Sequence, residues 1–207
     1  MDWLSLLSGA LGGTVLTQGA IAFREYRNGI KSEQKEQARI AMERLIIATE
    51  VVPLLEQVVL GCLDVANDNC EAHGNTGEMV PSVSVPSLDF TDIKGDWRTF
   101  GELLYPIKQV PIELKNCKHY LGQYYSFHWN PPDHQRYFNM RALCYSRLGL
   151  RTSLVVLRLR RECGMPMSSL FKTEFAAYSA LWIHYRRCIK WHVQTLREDS
   201  LRSVGPS

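Results

Sequence analysis

Apolar positions recur at helical spacing along almost the whole chain. Phe171, Phe175, Tyr178, Trp182, Tyr185, Ile189, His192 and Leu196 advance by alternating steps of four and three. That seven-residue repeat predicts a helix packed knobs-into-holes against its neighbours. Ala38, Ala41, Leu45, Ala48, Val52, Leu55, Val59, Cys62 and Ala66 mark an earlier helix with Lys35, Glu36, Arg39, Glu43 and Arg44 on its other faces. Asn28-Gly29 is expected to bend that helix, Pro53 to kink it, and Asn67-Asp68-Asn69 to end it.

A second helix is expected from Asp96 to His128, one face running through Phe100, Leu103, Ile107, Val110, Leu114, Cys117, Leu121, Tyr124 and His128. Pro106 and Pro111 should bend or divide it. Asn130-Pro131-Pro132-Asp133 breaks the chain and starts a third helix running to Arg161, with an interruption expected at Gly149. Cys163-Gly164-Met165-Pro166 stops it, and Ser168 or Ser169 caps the last helix. Residues 70–92, rich in Gly and Pro, read as loop, with one short extended piece around Val83 and Val85.

The segment before the first charged helix is of another kind. Trp3 to Phe23 carries no charge, and as a helix it spans about 30 Å, the thickness of a bilayer's hydrocarbon layer. Ser5, Gly9, Gly13 and Thr17 recur every four positions, a row of small residues that lets helices approach closely and bond across the contact. Arg24, Arg27, Lys31 and Lys35 follow at once and no Lys or Arg precedes them, which places the following chain in the cytoplasm. The positively charged start of a cleavable signal peptide is missing. A soluble helix buried in an oligomer core is the competing reading of the segment.

The resulting expectation is an all-α fold: an N-terminal single transmembrane helix followed by an antiparallel bundle of about four long helices. Its parts are an anchor at 1–23, a first long helix at 24–69, a loop at 70–92, the remaining helices at 93–199 and a flexible tail at 200–207. The expected location is the inner or plasma membrane, single-pass, with the bulk of the chain cytoplasmic.

Composition narrows the function classes. With 45% hydrophobic residues and 10% aromatic, the chain is too apolar for disorder. A net charge of +3 is too small to imply a polyanionic partner by itself. The 6 cysteines are dispersed through helical patterns rather than clustered in a loop-rich scaffold, which favours buried thiols in a reducing compartment.

Candidate chemistry is sparse. Phosphate loops, Gly-x-Ser-x-Gly and His-Glu-x-x-His are all missing, and no motif implies a cofactor. His184, Cys188 and His192 share one helix face at four-residue spacing, but the outer two lie about 12 Å apart along the axis, so the three cannot hold one metal ion. Packing on a helix seam is the plainer reading.

Arg141 to Arg161 is rich in arginine and free of acids, and Arg147, Arg151 and Arg158 share a face. The arginine fork suits phosphates and carboxylates, so these three are candidate contacts for an anion or a lipid headgroup. Nucleic acid is not expected, because the nearby aromatic residues belong to helix seams.

Three function classes follow. The first is a membrane-tethered helical scaffold or sensor acting by self-association or through a protein partner, with the lipid bilayer and a second copy as its partners. The second is a membrane-perturbing or pore-forming effector. The third is an enzyme with a His/Cys/Glu site inside the bundle.

Overall fold

The computed structural model describes residues 3–128, 131, 134–173 and 176–203, with side chains between residues 24 and 201 of these. The chain is mostly helical, as the periodicity predicts. It divides into two compact units, residues 1–43 and 44–207. The first helix, α1 (Trp3–Ala66), is continuous through Asn28-Gly29 and through Pro53. Pro53 is exposed, so water can reach the carbonyl that the missing proline amide leaves without a donor.

In the first unit, every residue from Arg24 to Arg39 is exposed. Arg39 bridges Glu36 at 2.7 Å and Glu43 at 3.4 Å, solvent-screened contacts that add little to stability. The small-residue row of Ser5, Gly9, Gly13 and Thr17 lies outside the residues whose side chains are described.

In the second unit, α1 supplies the centre of the core. Ile47, Val51, Leu55, Val58 and Cys62 are at most 1% exposed, and they follow helical steps of three and four. From Arg24 to Ala66 this one helix, near the N-terminus, is long and apolar enough to cross a membrane by length and composition. Of its apolar window 44% is nevertheless buried inside the protein. The segment expected to lie in lipid, residues 1–23, is a different one.

After α1 the chain makes a two-residue antiparallel ladder, β1 (Glu71–Ala72) with β2 (Met79–Val80), pairing Glu71 with Val80 and Ala72 with Met79. The turn between them closes through the Gly77 amide, which donates to the His73 carbonyl at 2.8 Å, with Gly77 at φ 68°. The extended piece therefore sits earlier than the expected one at Val83 and Val85. A 3-10 helix (Trp97–Leu103), capped by Asp96, precedes α2 (Leu104–Phe127).

The break expected at Pro106 or Pro111 falls instead at Gly101, which adopts φ 53°. Pro106 lies in the first turn of α2, where an amide has no helical partner to lose. The buried face of α2 is the predicted one: Ile107, Val110, Leu114 and Leu121.

Helix α3 (Gln135–Glu162) packs on α2 and on α4 (Ala177–Ser203). It passes through Gly149 without the expected interruption, because Gly149 serves packing rather than chain reversal. A Cβ at this position would stand 2.9 Å from the Cys62 Cβ and 2.8 Å from Leu181 Cδ1. Ser146, Gly149 and Ser153 form a buried row of small residues that brings α1 and α4 close to α3.

Ser168 caps a 3-10 turn at Ser169–Phe171, accepting from the Leu170 amide, so the last long helix starts later than expected. It also continues to Ser203, into the stretch expected as a tail. Its buried residues are Ala177, Leu181 and Cys188. The predicted seam is thus turned by about one residue: Tyr178, Tyr185 and His192 stand at the edge of the core, while Trp182 and Leu196 are 46% and 52% exposed. Phe175 lies outside the described residues.

Candidate functional site: a basic groove and a buried polar latch

Steps of four and seven bring Arg147, Arg151 and Arg158 to one side of α3. Arg147 and Arg151 line a groove of about 570 Å³ between α2, α3 and α4. Arg151 and Arg158 line a smaller one of about 260 Å³ beside the start of α2. Arg151 is already paired, its Nη1 lying 2.8 Å from Glu113 Oε1. Among the described residues Arg147 has no acid or hydrogen-bond partner.

The larger groove also carries Cys117 and Cys144. Burial raises both thiols, Cys144 to about 12, against a smaller opposing pull from Arg147. They are therefore neutral near pH 7 and weak as nucleophiles or metal ligands. The groove thus presents the Arg147 guanidinium beside two thiols that burial keeps protonated.

The candidates on α4 do not converge. Cys188 is buried, its thiol raised by that burial. His184 Nδ1 stands 3.1 Å from Arg187 Nη2, and burial followed by that cation lowers its pKa. His192 belongs to the groove wall. Among the described residues no three His, Cys, Asp or Glu side chains are grouped to hold a metal ion. All 6 cysteines are free thiols.

The polar cluster that sequence reasoning missed joins the segment after α1 to α3. Asp68 and Arg141 form an ion pair at 2.5 Å with side chains 1% and 3% exposed. The Asp68 carboxylate also accepts from the amides of Cys70, Ser82 and Val83 and from the Ser82 hydroxyl. Arg141 in turn donates to the Val83 carbonyl at 2.6 Å. A few residues away Glu78 Oε1 accepts from the Tyr125 hydroxyl at 3.1 Å and lies 2.7 Å from His134 Nε2.

His134 is buried and left-handed, at φ 44°. Its contact, followed by that of Tyr125, holds the Glu78 carboxyl below the usual range. The two contact sets fasten residues 68–83 onto α2 and α3. Their only sequence signals are Asn67-Asp68-Asn69 at a helix end and an arginine on an apolar helix face, and neither names its partner.

Burial alone would raise the Asp68 carboxyl. The hydrogen bonds from Ser82, the Cys70 amide, Arg141 and the Val83 amide outweigh it and hold the group at about 2, against 3.8 ordinarily. The folded value is the lower one, so the unfolded chain takes up the proton first. Asp68's contribution is therefore complete above about pH 4 and is lost as pH falls from there towards 2. The urea midpoint should drop across that window, and the drop should be smaller in Asp68→Asn. An identical pH dependence in the two proteins would refute this account.

No protein-family model, curated protein or solved structure matches the chain.

Proposed function

We propose that the protein is a membrane-tethered helical scaffold or sensor that acts by self-association or by binding a protein partner. In this reading residues 1–23 cross the inner or plasma membrane once, and the cytoplasmic remainder is an antiparallel helical bundle. The observation that carries it is the exposed stretch from Arg24 to Arg39. A helical stretch that buries no face gains nothing from packing within the chain. Such a stretch makes physical sense as a solvated stalk. Residues 24–43 would extend about 30 Å as helix, following the uncharged Trp3–Phe23 in lipid.

Two further features fit this reading. The cations Arg24, Arg27, Lys31 and Lys35 lie just past the uncharged segment, where a cytoplasmic membrane face favours them. Trp182, Ile189, Val193 and Leu196 are 46%, 37%, 43% and 52% exposed along α4, an apolar strip of the kind that contacts another protein. Ser5, Gly9, Gly13 and Thr17 are the proposed contact between anchors.

The intact chain should stay with the membrane pellet after an alkaline carbonate wash, whereas a chain beginning at Arg24 should be released. Recovery of the intact chain in plain buffer would end the tether reading. Gly9→Leu with Gly13→Leu should shift the detergent-solubilised species towards monomer in sedimentation. An unchanged mass would remove the small-residue row from the assembly.

A further inference from the structure

The groove between α2, α3 and α4 has the volume, lining and charge of a ligand site, and none of these depends on the membrane tether. Its volume of about 570 Å³ falls within the range of small-molecule pockets, roughly 300–1,000 Å³. Met140, Leu143 and Ile189 provide apolar wall, and the rings of Tyr120 and Tyr185 flank it. Such a lining suits a hydrocarbon or aromatic body rather than a bare ion.

The charges of the groove select the head group. Arg147 and Arg151 are cations, and Glu113, closed onto Arg151 at 2.8 Å, cancels one of them. Burial keeps the Cys117 and Cys144 thiols protonated, so they add no competing anion. The net excess is one positive charge, centred on Arg147, whose planar fork matches a carboxylate or phosphate edge. A bare anion such as inorganic phosphate would leave the apolar wall uncovered.

We propose that this groove binds an amphipathic anion, with a carboxylate or phosphate ester head on Arg147 and an apolar body along Met140, Leu143 and Ile189. The shared chemistry admits two sources, a free amphiphile and a membrane lipid.

The full chain in an uncharged maltoside detergent can be titrated calorimetrically with hexyl phosphate, hexanoate and inorganic phosphate. Hexyl phosphate and hexanoate should bind, and inorganic phosphate at least tenfold more weakly. Arg147→Gln should weaken the amphiphiles about tenfold or more, as expected for a lost charge-assisted hydrogen bond. Arg147→Lys should fall between, keeping the charge and losing the fork. Ile189→Ser should weaken the hexyl compounds and leave inorganic phosphate unaffected.

Arg147 and Ile189 are both exposed enough that these variants leave the core untouched. Arg158→Gln, in the neighbouring groove, should change nothing. Equal affinity for inorganic and hexyl phosphate would overturn the proposal, as would full affinity in Arg147→Gln or no binding at all. Competition by phosphatidate in nanodiscs would keep the assignment and mark the ligand as a lipid. Continued hexyl phosphate binding in their presence would keep it and mark a free amphiphile.

Discussion

Arg141→Met is expected to destabilise the protein by about 3–5 kcal/mol, the usual cost of leaving one member of a buried ion pair without its partner. The measurement is a fall in the urea midpoint at unchanged slope. Asp68, 1% exposed in the native protein, would keep its contacts from Ser82 and the Cys70 and Val83 amides, but it would lose the counter-charge that compensates its burial.

The Val83 carbonyl would lose its donor as well, so residues 68–83 should exchange amide hydrogen faster in the variant. Asp68→Asn combined with Arg141→Met should recover part of the loss, because the uncompensated charge is then gone. A cost below about 1 kcal/mol for Arg141→Met would mean that the pair contributes no more than an exposed one.

Gly149→Val should be the other severe change, costing about 3 kcal/mol or more, at or beyond the upper end of what overpacking a tight core costs. The added Cβ would meet the Cys62 Cβ at 2.9 Å and Leu181 Cδ1 at 2.8 Å. Leucine can change rotamer, but the Cys62 Cβ is fixed to the backbone of α1, so two helices must separate. Gly122→Ala on α2 is the control, because nothing lies within 4 Å of its added Cβ. That change should gain up to about 1 kcal/mol from helix propensity alone. If the two glycines behave alike in thermal unfolding, Gly149 has no packing role.

The two glycines look the same in the sequence, which shows where its legibility ends. Gly149 read as an interruption, since glycine in a helix is intrinsically unfavourable. That cost is about 1 kcal/mol, too little to decide against the close contact of three helices. Pro106 similarly read as a break, yet its place in a first turn makes it harmless. The actual break at Gly101 needs a positive φ that only the surrounding fold imposes. In the site, the common face of Arg147, Arg151 and Arg158 was readable, because positions four and seven apart on a helix must share one. That Arg151 would close onto Glu113 while Arg147 faced an apolar groove was not, since it depends on where α2 and α4 lie.

By itself, the sequence determined the mostly helical class, the buried face of α2, that of α1 from Ala48 onward though not its expected start at the exposed Ala38 and Ala41, and the arginine row on α3. These follow from a 3.6-residue turn, which is a property of neighbouring residues. Tertiary structure alone decided the setting of α4 and the latch. Leu181 packs down onto Gly149, which turns the helix so that Trp182 and Leu196 face outward. Asp68 meets Arg141 across 73 positions of chain. Contacts of that range are chosen by which burial leaves no charge or polar atom uncompensated, a comparison made over the whole fold and recorded in no local pattern.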